Sequence, residues 1–293
     1  AEAFDDPLVG LVTGLVVPMK LDTPARIYFE DVYGGMGKGF DPFLRPGNAT
    51  GPRELLWASG CGVGANMAFR RATIARTCLQ DGLPVAAGAL HTALAHALGR
   101  QQRRLTESAD ELLRVTLGGT VIGSGAGADP RYRVRIVAAL ADETGLDLTL
   151  ADDLYDATQY PDDLARLSGD ALIVSHLLAK FAADLRLLSS GPECGLGELT
   201  LPATQAGSSF FPGKVNPVIP EMMIQCDLLV TGNDATIQRC LGMGEMHLNL
   251  WDSTMGFLLL DNLRMLTRAV TLFTTHCVAG IEVNQQVCEG YAR

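Results

Sequence analysis

Apolar side chains recur at alternating spacings of three and four residues between Leu164 and Leu188. This pattern is an a/d seam, which is typical of long helices packed against one another in a bundle. It therefore predicts one long helix in this part of the chain. The positions that form the seam are Leu164, Leu167, Ala171, Val174, Leu178, Phe181, Leu185 and Leu188.

Two further seams predict two further long helices. The second comprises Ile219, Met222, Cys226 and Leu229, and the third comprises Leu259, Leu263, Leu266, Val270, Phe273 and Cys277. Together they predict a mainly α fold, a long-helix bundle from about residue 84 to residue 279. The seams at 164–188 and 259–277 carry more apolar surface than one chain would be expected to cover, so we expect self-association.

The first 75 residues have a different character. Val9–Val17 is a β-branched run that ends at Pro18, and it predicts a buried strand. The glycines of the segment 60–64 fit a dinucleotide fingerprint, but a lone match of this kind is a weak signal. We therefore divide the chain into an N-terminal segment of α/β character, residues 1–75, and a helical domain, residues 76–293.

Charge and composition exclude several classes of function. The net charge is −10, which argues against nucleic acid or an anionic membrane as a partner. No apolar run is long enough to span a membrane, and the first residues lack the features of a signal peptide. The seven cysteines are scattered without a CxxC, which indicates reduced thiols in the cytoplasm, with neither a disulfide framework nor a metal site.

Residues 207–221, which we call the signature segment, combine groups suited to binding a carboxylate. Gly207 and Gly213 permit a mobile loop. Asn216 is predicted to cap a helix that starts with Pro217, and a helix N-terminus favours an anion. Lys214 adds an ammonium group beside that N-terminus, and the two serines at 208 and 209 add hydroxyls.

The signature segment closely resembles the GSSxxPxKxNPxxxE motif of the fumarase/aspartase superfamily, and every fixed position of that motif is present. Arg76–Asp81 is similar to the family's RT[HQ]LQDA motif, with Cys78 in place of the usual His or Gln. The resemblance extends from Arg76 to Arg293, where the family continues into a small C-terminal domain. The stretches Val218–Glu221 and Val287–Tyr291 lean towards aspartase.

The resemblance implies a lyase that removes ammonia, or another leaving group, from a succinate-like dicarboxylate to give fumarate. It implies no metal and no cofactor, and a homotetramer whose active sites are shared between chains. By matching position, the implied catalytic residues are Ser208 as the base, Lys214, Asn216 and Glu221, and the implied substrate-binding residues are Thr77, Cys78 and Ser209. The residues alone leave open whether Cys78 makes a polar contact or is a small buried packing residue.

Residues 1–74 resemble instead a fragment of a family-2-type glycosyltransferase of the GT-A fold, on segments 4–14 and 64–71. The metal-binding DxD motif of that family is not found there. The early active-site motifs of the aspartases are not found in residues 1–75 either. Two alternatives to the lyase therefore remain: a non-catalytic helical scaffold with an incomplete site, and a glycosyltransferase identity carried by the N-terminal segment.

Overall fold

A computed structural model describes residues 11–12, 68–69, 72–86 and 88–291. Strand β1, Leu11–Val12, pairs antiparallel with β2, Ala68–Phe69. Of the N-terminal segment, the structure describes these two strands and residues 72–75, and the rest of it, with most of its glycosyltransferase resemblance, lies outside the described residues. The same holds for the glycine turn at 60–64 and for the rest of the strand predicted at Val9–Val17.

The remaining described residues are mainly helical, as predicted. The helices are α1 (Ala89–Glu111), α2 (Pro130–Thr144), α3 (Leu154–Gln159), α4 (Asp162–Leu188), α5 (Val218–Leu241), α6 (Asp252–His276) and α7 (Gln285–Tyr291), with a 3-10 turn at Val278–Gly280. The strands are short: β3 (Ala72–Thr77), β4 (Gln80–Ala86), β5 (Arg114–Val115), β6 (Thr149–Leu150), β7 (Leu199–Thr200) and β8 (Glu282–Val283). They form separate two-stranded pairs: β3 with β4, β5 with β6, and β7 with β8. The helical body begins slightly later than predicted, because β4 continues to Ala86.

The core lies where α4, α5 and α6 pack together, with α1 against α4. The first predicted seam forms the inner face of α4, where Ala171, Phe181 and Leu185 are buried. The third seam is likewise buried on α6, at Leu259, Leu266 and Phe273 among others. Both seams therefore predicted the correct helix face.

The second predicted seam is confirmed in part. Ile219, Met222 and Cys226 are partly buried against the core, as predicted, but Leu229 is exposed. The large apolar side chains of α5 that are fully buried are Met223, Val230 and Ile237. Because α5 carries apolar side chains on more than one face, the seam identified one edge of the buried face and missed its centre.

Polar side chains also join the core helices. The Ser168 hydroxyl on α4 donates to the Asp234 carboxylate on α5 over 2.6 Å. The Asn233 amide on α5 donates to the Asn262 carbonyl oxygen on α6 over 2.7 Å. Buried polar groups require such partners, so these bonds fix how the helices are aligned along one another.

Surplus apolar surface does lie on the helices, but not on the seams where we expected it. The seams at 164–188 and 259–277 are largely covered by helices of the same chain, so that part of the expectation is wrong. Exposed apolar side chains instead mark the outer faces of α5 and α6, at Leu228, Leu229, Phe257 and Leu260. Among the described helices, none is both long enough and apolar enough to span a membrane.

Candidate active site

The signature segment forms a closed loop that leads into α5. The Ser208 N–H donates to the Lys214 carbonyl oxygen over 2.7 Å, and the Lys214 N–H donates to the Phe211 carbonyl oxygen over 3.1 Å. Gly213 turns the chain with φ at +82°, a left-handed conformation that glycine adopts without the strain of a Cβ. These contacts bring the backbones of residues 208 and 214 together.

The Ser208 hydroxyl lies inside this loop and is half-buried. Its oxygen accepts hydrogen bonds from the backbone N–H of Phe210 over 3.2 Å and of Phe211 over 3.1 Å. Donors aimed at an oxygen stabilise its ionised form more than its neutral form. The loop therefore supplies the N–H groups that a serine would need to act as a base.

The other polar groups of the loop are open to solvent. Ser209, Lys214 and Asn216 are exposed. The Lys214 ammonium lies over the ring of Phe211, 6.0 Å from its centroid, and the Phe210 and Phe211 rings meet edge to face at 5.2 Å. A cation over an aromatic face is held weakly at an exposed position, so the ammonium is available to an anionic ligand.

The start of α5 differs from the prediction. The helix begins at Val218 with Pro217 in the capping position, and no side chain caps it. Asn216 was predicted as the cap and lies one residue too early, because its carbonyl oxygen accepts the Val218 N–H in a tight turn at 2.9 Å. That turn uses one amide, and Pro220 has none, so the helix N-terminus offers a carboxylate fewer backbone donors than expected.

Glu221 lies in the first turn of α5, as the family motif implied. Its carboxylate is 3.6 Å from the guanidinium of Arg186, in the last turn of α4. Both side chains are more than a third exposed, so solvent weakens this pair. Arg186 was missed as a neighbour of the site, although it lies within the stretch from Arg76 to Arg293 over which the chain resembles the family.

Thr77 and Cys78 lie at the turn of the β3–β4 hairpin. Both are exposed, and Cys78 and Leu79 adopt left-handed backbone angles with φ at 52° and 61°. The interpretation of Cys78 as a buried packing residue is therefore wrong, because the turn presents the thiol to solvent.

The structure thus divides the implied residues into two groups. Ser208, Ser209, Lys214 and Asn216 share one loop, with Glu221 one helical turn beyond it. Thr77 and Cys78 belong to the hairpin, and in the described part of the chain no hydrogen bond or ion pair joins the hairpin turn to the signature segment. Within the same residues, no cluster of three or more His, Cys, Asp and Glu side chains is arranged to bind a metal ion.

Comparisons with known protein families and sequences all match lyases. A family model described as lyase matches residues 71–232. The aspartate ammonia-lyase of Corynebacterium glutamicum is 43% identical over 216 residues, which are 74% of this chain and 41% of that protein. The aspartate ammonia-lyase of Bacillus subtilis is 40% identical over 216 residues, which are 74% of this chain and 46% of that protein.

Solved structures agree. The fumarate lyase:delta crystallin of Brucella melitensis in its native form matches with a TM-score of 0.71 and 35% identity, covering 82% of this chain and 53% of that one. The class II fumarase of Schistosoma mansoni matches with a TM-score of 0.73 and 25% identity, covering 82% of this chain and 53% of that one. The chain spans about half the length of the relatives that it matches.

Proposed function

This chain belongs to the fumarase/aspartase family of lyases, and on that premise we propose that it takes part in the anti-elimination of ammonia from an aspartate-like dicarboxylate to give fumarate. The observation that carries the proposal is the Ser208 hydroxyl, whose oxygen accepts two backbone N–H groups within the signature segment. The support for ammonia as the leaving group is the identity of the relatives, which are aspartate ammonia-lyases.

The chemistry explains why such a site needs these groups. A base takes a proton from the carbon next to the β-carboxylate, and the electron pair of the C–H bond moves into that carboxylate. The carbon–nitrogen bond then breaks, the double bond forms, and ammonia leaves with the electron pair of the broken bond. The intermediate carries a second negative charge on the carboxylate, so donors aimed at that group lower the barrier.

Each residue of the signature segment has a proposed role in this sequence. Ionised Ser208 takes the proton and becomes a neutral hydroxyl. Lys214 and Asn216 stabilise the doubly charged carboxylate, and Ser209 binds a carboxylate of the substrate. Glu221 orients neighbouring groups from the first turn of α5. The glycines at the two ends of the loop allow it to close over the substrate and exclude water.

Thr77 and Cys78 complete the proposed substrate site from a different segment. Since no direct bond joins their turn to the signature segment in the described residues, we propose that neighbouring copies supply the missing contacts. A homotetramer, with a dimer as the smaller alternative, would cover the exposed side chains of α5 and α6, at Leu228, Leu229, Phe257 and Leu260.

The reaction is tested by following fumarate formation by its ultraviolet absorbance, with aspartate and malate as alternative substrates. We expect Ser208→Ala to lower turnover of aspartate by at least ~10²-fold, because a positioned base is lost. Ser190→Ala is the matched control, since its half-buried hydroxyl also accepts a loop amide, from Leu196 at 3.1 Å, but lies outside the proposed site. If Ser208→Ala keeps most of its activity, Ser208 is not the base, and another residue must take the proton.

The outcome also separates the alternatives. Binding of fumarate without turnover of either substrate would favour a non-catalytic helical scaffold. Faster turnover of malate than of aspartate would show that the leaving group is water and not ammonia. Nothing in the described residues supports the glycosyltransferase alternative, and no sugar-nucleotide site is proposed.

The assembly is tested by light scattering. We expect a mass of four chains, and a smaller mass for the double variant Leu228→Lys/Leu229→Lys, because two ammonium groups would have to be buried in the interface. A stable monomer for the unmodified chain would overturn the proposed sharing of sites.

A further inference from the structure

The carboxylate of Glu198 lies beneath the β3–β4 hairpin and is nearly inaccessible, with a side chain only 3% exposed. Its two oxygens accept hydrogen bonds from the two terminal nitrogens of Arg76, over 2.9 and 3.1 Å. The Thr73 hydroxyl donates to the same carboxylate over 2.8 Å. A single acidic side chain therefore binds two points on strand β3.

The backbone around Glu198 is fixed as firmly as its side chain. Its carbonyl oxygen accepts the Asn284 N–H over 2.8 Å, directly after β8. Tyr291 of α7 donates its hydroxyl to the Leu196 carbonyl oxygen over 3.2 Å and lies against the Arg76 guanidinium, 5.3 Å from ring centroid to carbon. The hairpin, the segment before β7 and the last helix described thus meet around Glu198, an arrangement that we call the Glu198 clamp.

The clamp is connected along the chain to both segments of the proposed site. Arg76 immediately precedes Thr77, so holding its guanidinium fixes the end of β3 from which the Thr77–Cys78 turn projects. Glu198 immediately precedes β7, and the segment 201–206 then links β7 to the signature segment at Gly207. From these contacts we infer that Glu198 is a positioning residue, which fixes the Thr77–Cys78 turn against the body of its own chain, so that the turn can meet a signature segment supplied by a neighbouring copy. The inference rests on the lyase function proposed above.

The chemistry of the Arg76–Glu198 pair indicates that it orients the hairpin and does not merely hold it against the chain. An apolar contact would hold the hairpin down as well, because replacing a buried ion pair by packed apolar side chains often costs no stability. A bidentate guanidinium–carboxylate pair adds a fixed relative orientation of the two groups. Orientation is what the Thr77–Cys78 turn needs, since the turn itself is exposed and makes few contacts of its own.

The test uses Cys78 as a built-in reporter. Its exposed thiol is alkylated, and mass spectrometry of the peptides reads its reaction separately from that of Cys194, which is the other exposed thiol among the described cysteines. Fumarate is the probe: if it binds at the Thr77–Cys78 turn, it protects Cys78 from alkylation. Amide hydrogen exchange over residues 72–86 is measured in parallel, and KM and kcat are measured on aspartate.

Three variants separate the possible causes. Glu198→Gln removes the charge and keeps the shape. Glu193→Gln makes the same change on an exposed side chain in the same loop and is the control. The double variant Arg76→Leu/Glu198→Leu removes the pair without leaving a buried charge, so we expect it to recover thermal stability.

In Glu198→Gln we expect hydrogen exchange in residues 72–86 to accelerate by about tenfold or more. We expect the fumarate concentration for half-protection of Cys78, and KM, to rise roughly tenfold, with kcat much less affected. The double variant should regain stability but keep the weakened protection. Glu193→Gln should match the unmodified chain in every measurement.

The outcomes distinguish the clamp from the function on which it rests. Unchanged hydrogen exchange and protection in Glu198→Gln would overturn the clamp. So would a double variant in which protection returns together with stability, because the pair would then act as cohesion only. If fumarate fails to protect Cys78 in the unmodified chain while exchange still depends on Glu198, the proposed lyase site is wrong, and the positioning role falls with it.

Discussion

The three-helix core of α4, α5 and α6 differs from the two segments of the proposed site, which are the signature segment and the hairpin turn. Residue types that are buried in or beside the core are exposed in the site segments. Phe181 in the core is 2% exposed, whereas Phe210 in the signature segment is 82% exposed. Asn249 is buried beside the core, and Asn216 is exposed in the loop. Cys277 is buried at the end of α6, and Cys78 is exposed at the hairpin turn.

This contrast indicates that stability and chemistry are divided between the two regions. Burial of apolar area stabilises the fold, and the buried side chains lie along the helices. The site segments leave their polar groups unburied, and they are held by a few hydrogen bonds and by the Glu198 clamp. Substitutions of one residue type in both regions should therefore change different measurements.

The largest expected difference is between the two phenylalanines. Phe181→Ala should lower the free energy of unfolding by about 3–5 kcal/mol, because it leaves a cavity between α4 and α6, where its ring meets Phe273 edge to face. Phe210→Ala should change it by less than about 0.5 kcal/mol, since the ring is already in solvent. Urea denaturation measures both, and equal losses would contradict the division between the regions.

A second comparison uses asparagine. The Asn249 amide donates to the carbonyl oxygens of Cys240 and Leu241 over 3.1 and 3.4 Å, and its own oxygen accepts the Trp251 N–H over 3.0 Å. Asn249→Ala should cost about 1–3 kcal/mol, because it leaves buried groups at the end of α5 without partners. Asn216→Ala should leave the urea midpoint unchanged and lower turnover of aspartate. A midpoint shift in Asn216→Ala would place that side chain in the stable framework.

A third comparison depends on pH. Burial raises the pKa of the Cys277 thiol from its ordinary 9.0 to about 12. The folded chain therefore holds this proton more tightly than the unfolded chain, and the associated stability is complete below pH 9 and is lost as the pH rises towards 12. At pH 10 the loss should be about 1.4 kcal/mol, the equivalent of one pKa unit.

The measurement is the urea midpoint between pH 8 and pH 10.5. Cys277→Ser should show a shallower decline than the unmodified chain, because the titrating thiol is gone. Cys78→Ser, which changes an exposed thiol, should follow the unmodified chain. If the three curves are parallel, the Cys277 thiol is not the source of the pH dependence.

The smallest effects concern two glycines. A Cβ at Gly169 in α4 meets only the Gln238 amide nitrogen, at an ordinary 3.9 Å, so Gly169→Ala should raise stability by about 0.5–1 kcal/mol through helix propensity. Gly213→Ala forces a left-handed backbone onto alanine and should cost about 1 kcal/mol or displace the loop, with a loss of turnover. Thermal melting measures both variants. A higher melting temperature for Gly169→Ala and a lower one for Gly213→Ala would support the division between core and site segments, and shifts in the same direction would contradict it.

The sequence predicted the buried helix face best where the seam is longest. The eight-position seam of α4 places Leu167, Val174 and Phe181 inward, although Ile173 and Leu187 leave apolar side chains on the outer face. On α5, Leu228 and Leu229 compete with Val230 for the core, and hydrophobicity alone does not rank them. The position of α5 between α4 and α6 decides which row is buried.

For the site, the sequence alone identified the composition of the signature segment and, by resemblance, the residues of the hairpin turn. It determined that the helices are long, that one loop combines two hydroxyls with an ammonium group, and that the chain resembles a family of lyases. Local spacing is enough for these conclusions, because each feature lies within a single stretch of sequence.

Only the tertiary structure decided that Val218 begins α5, that Arg186 neighbours Glu221, and that Glu198 binds Arg76. The Arg76–Glu198 pair joins residues that are 122 positions apart, and no local pattern marks it. Such a contact depends on how the helices bring distant segments together. A buried charge is stable only where the fold supplies its partner, so its role becomes visible only once the chain is folded.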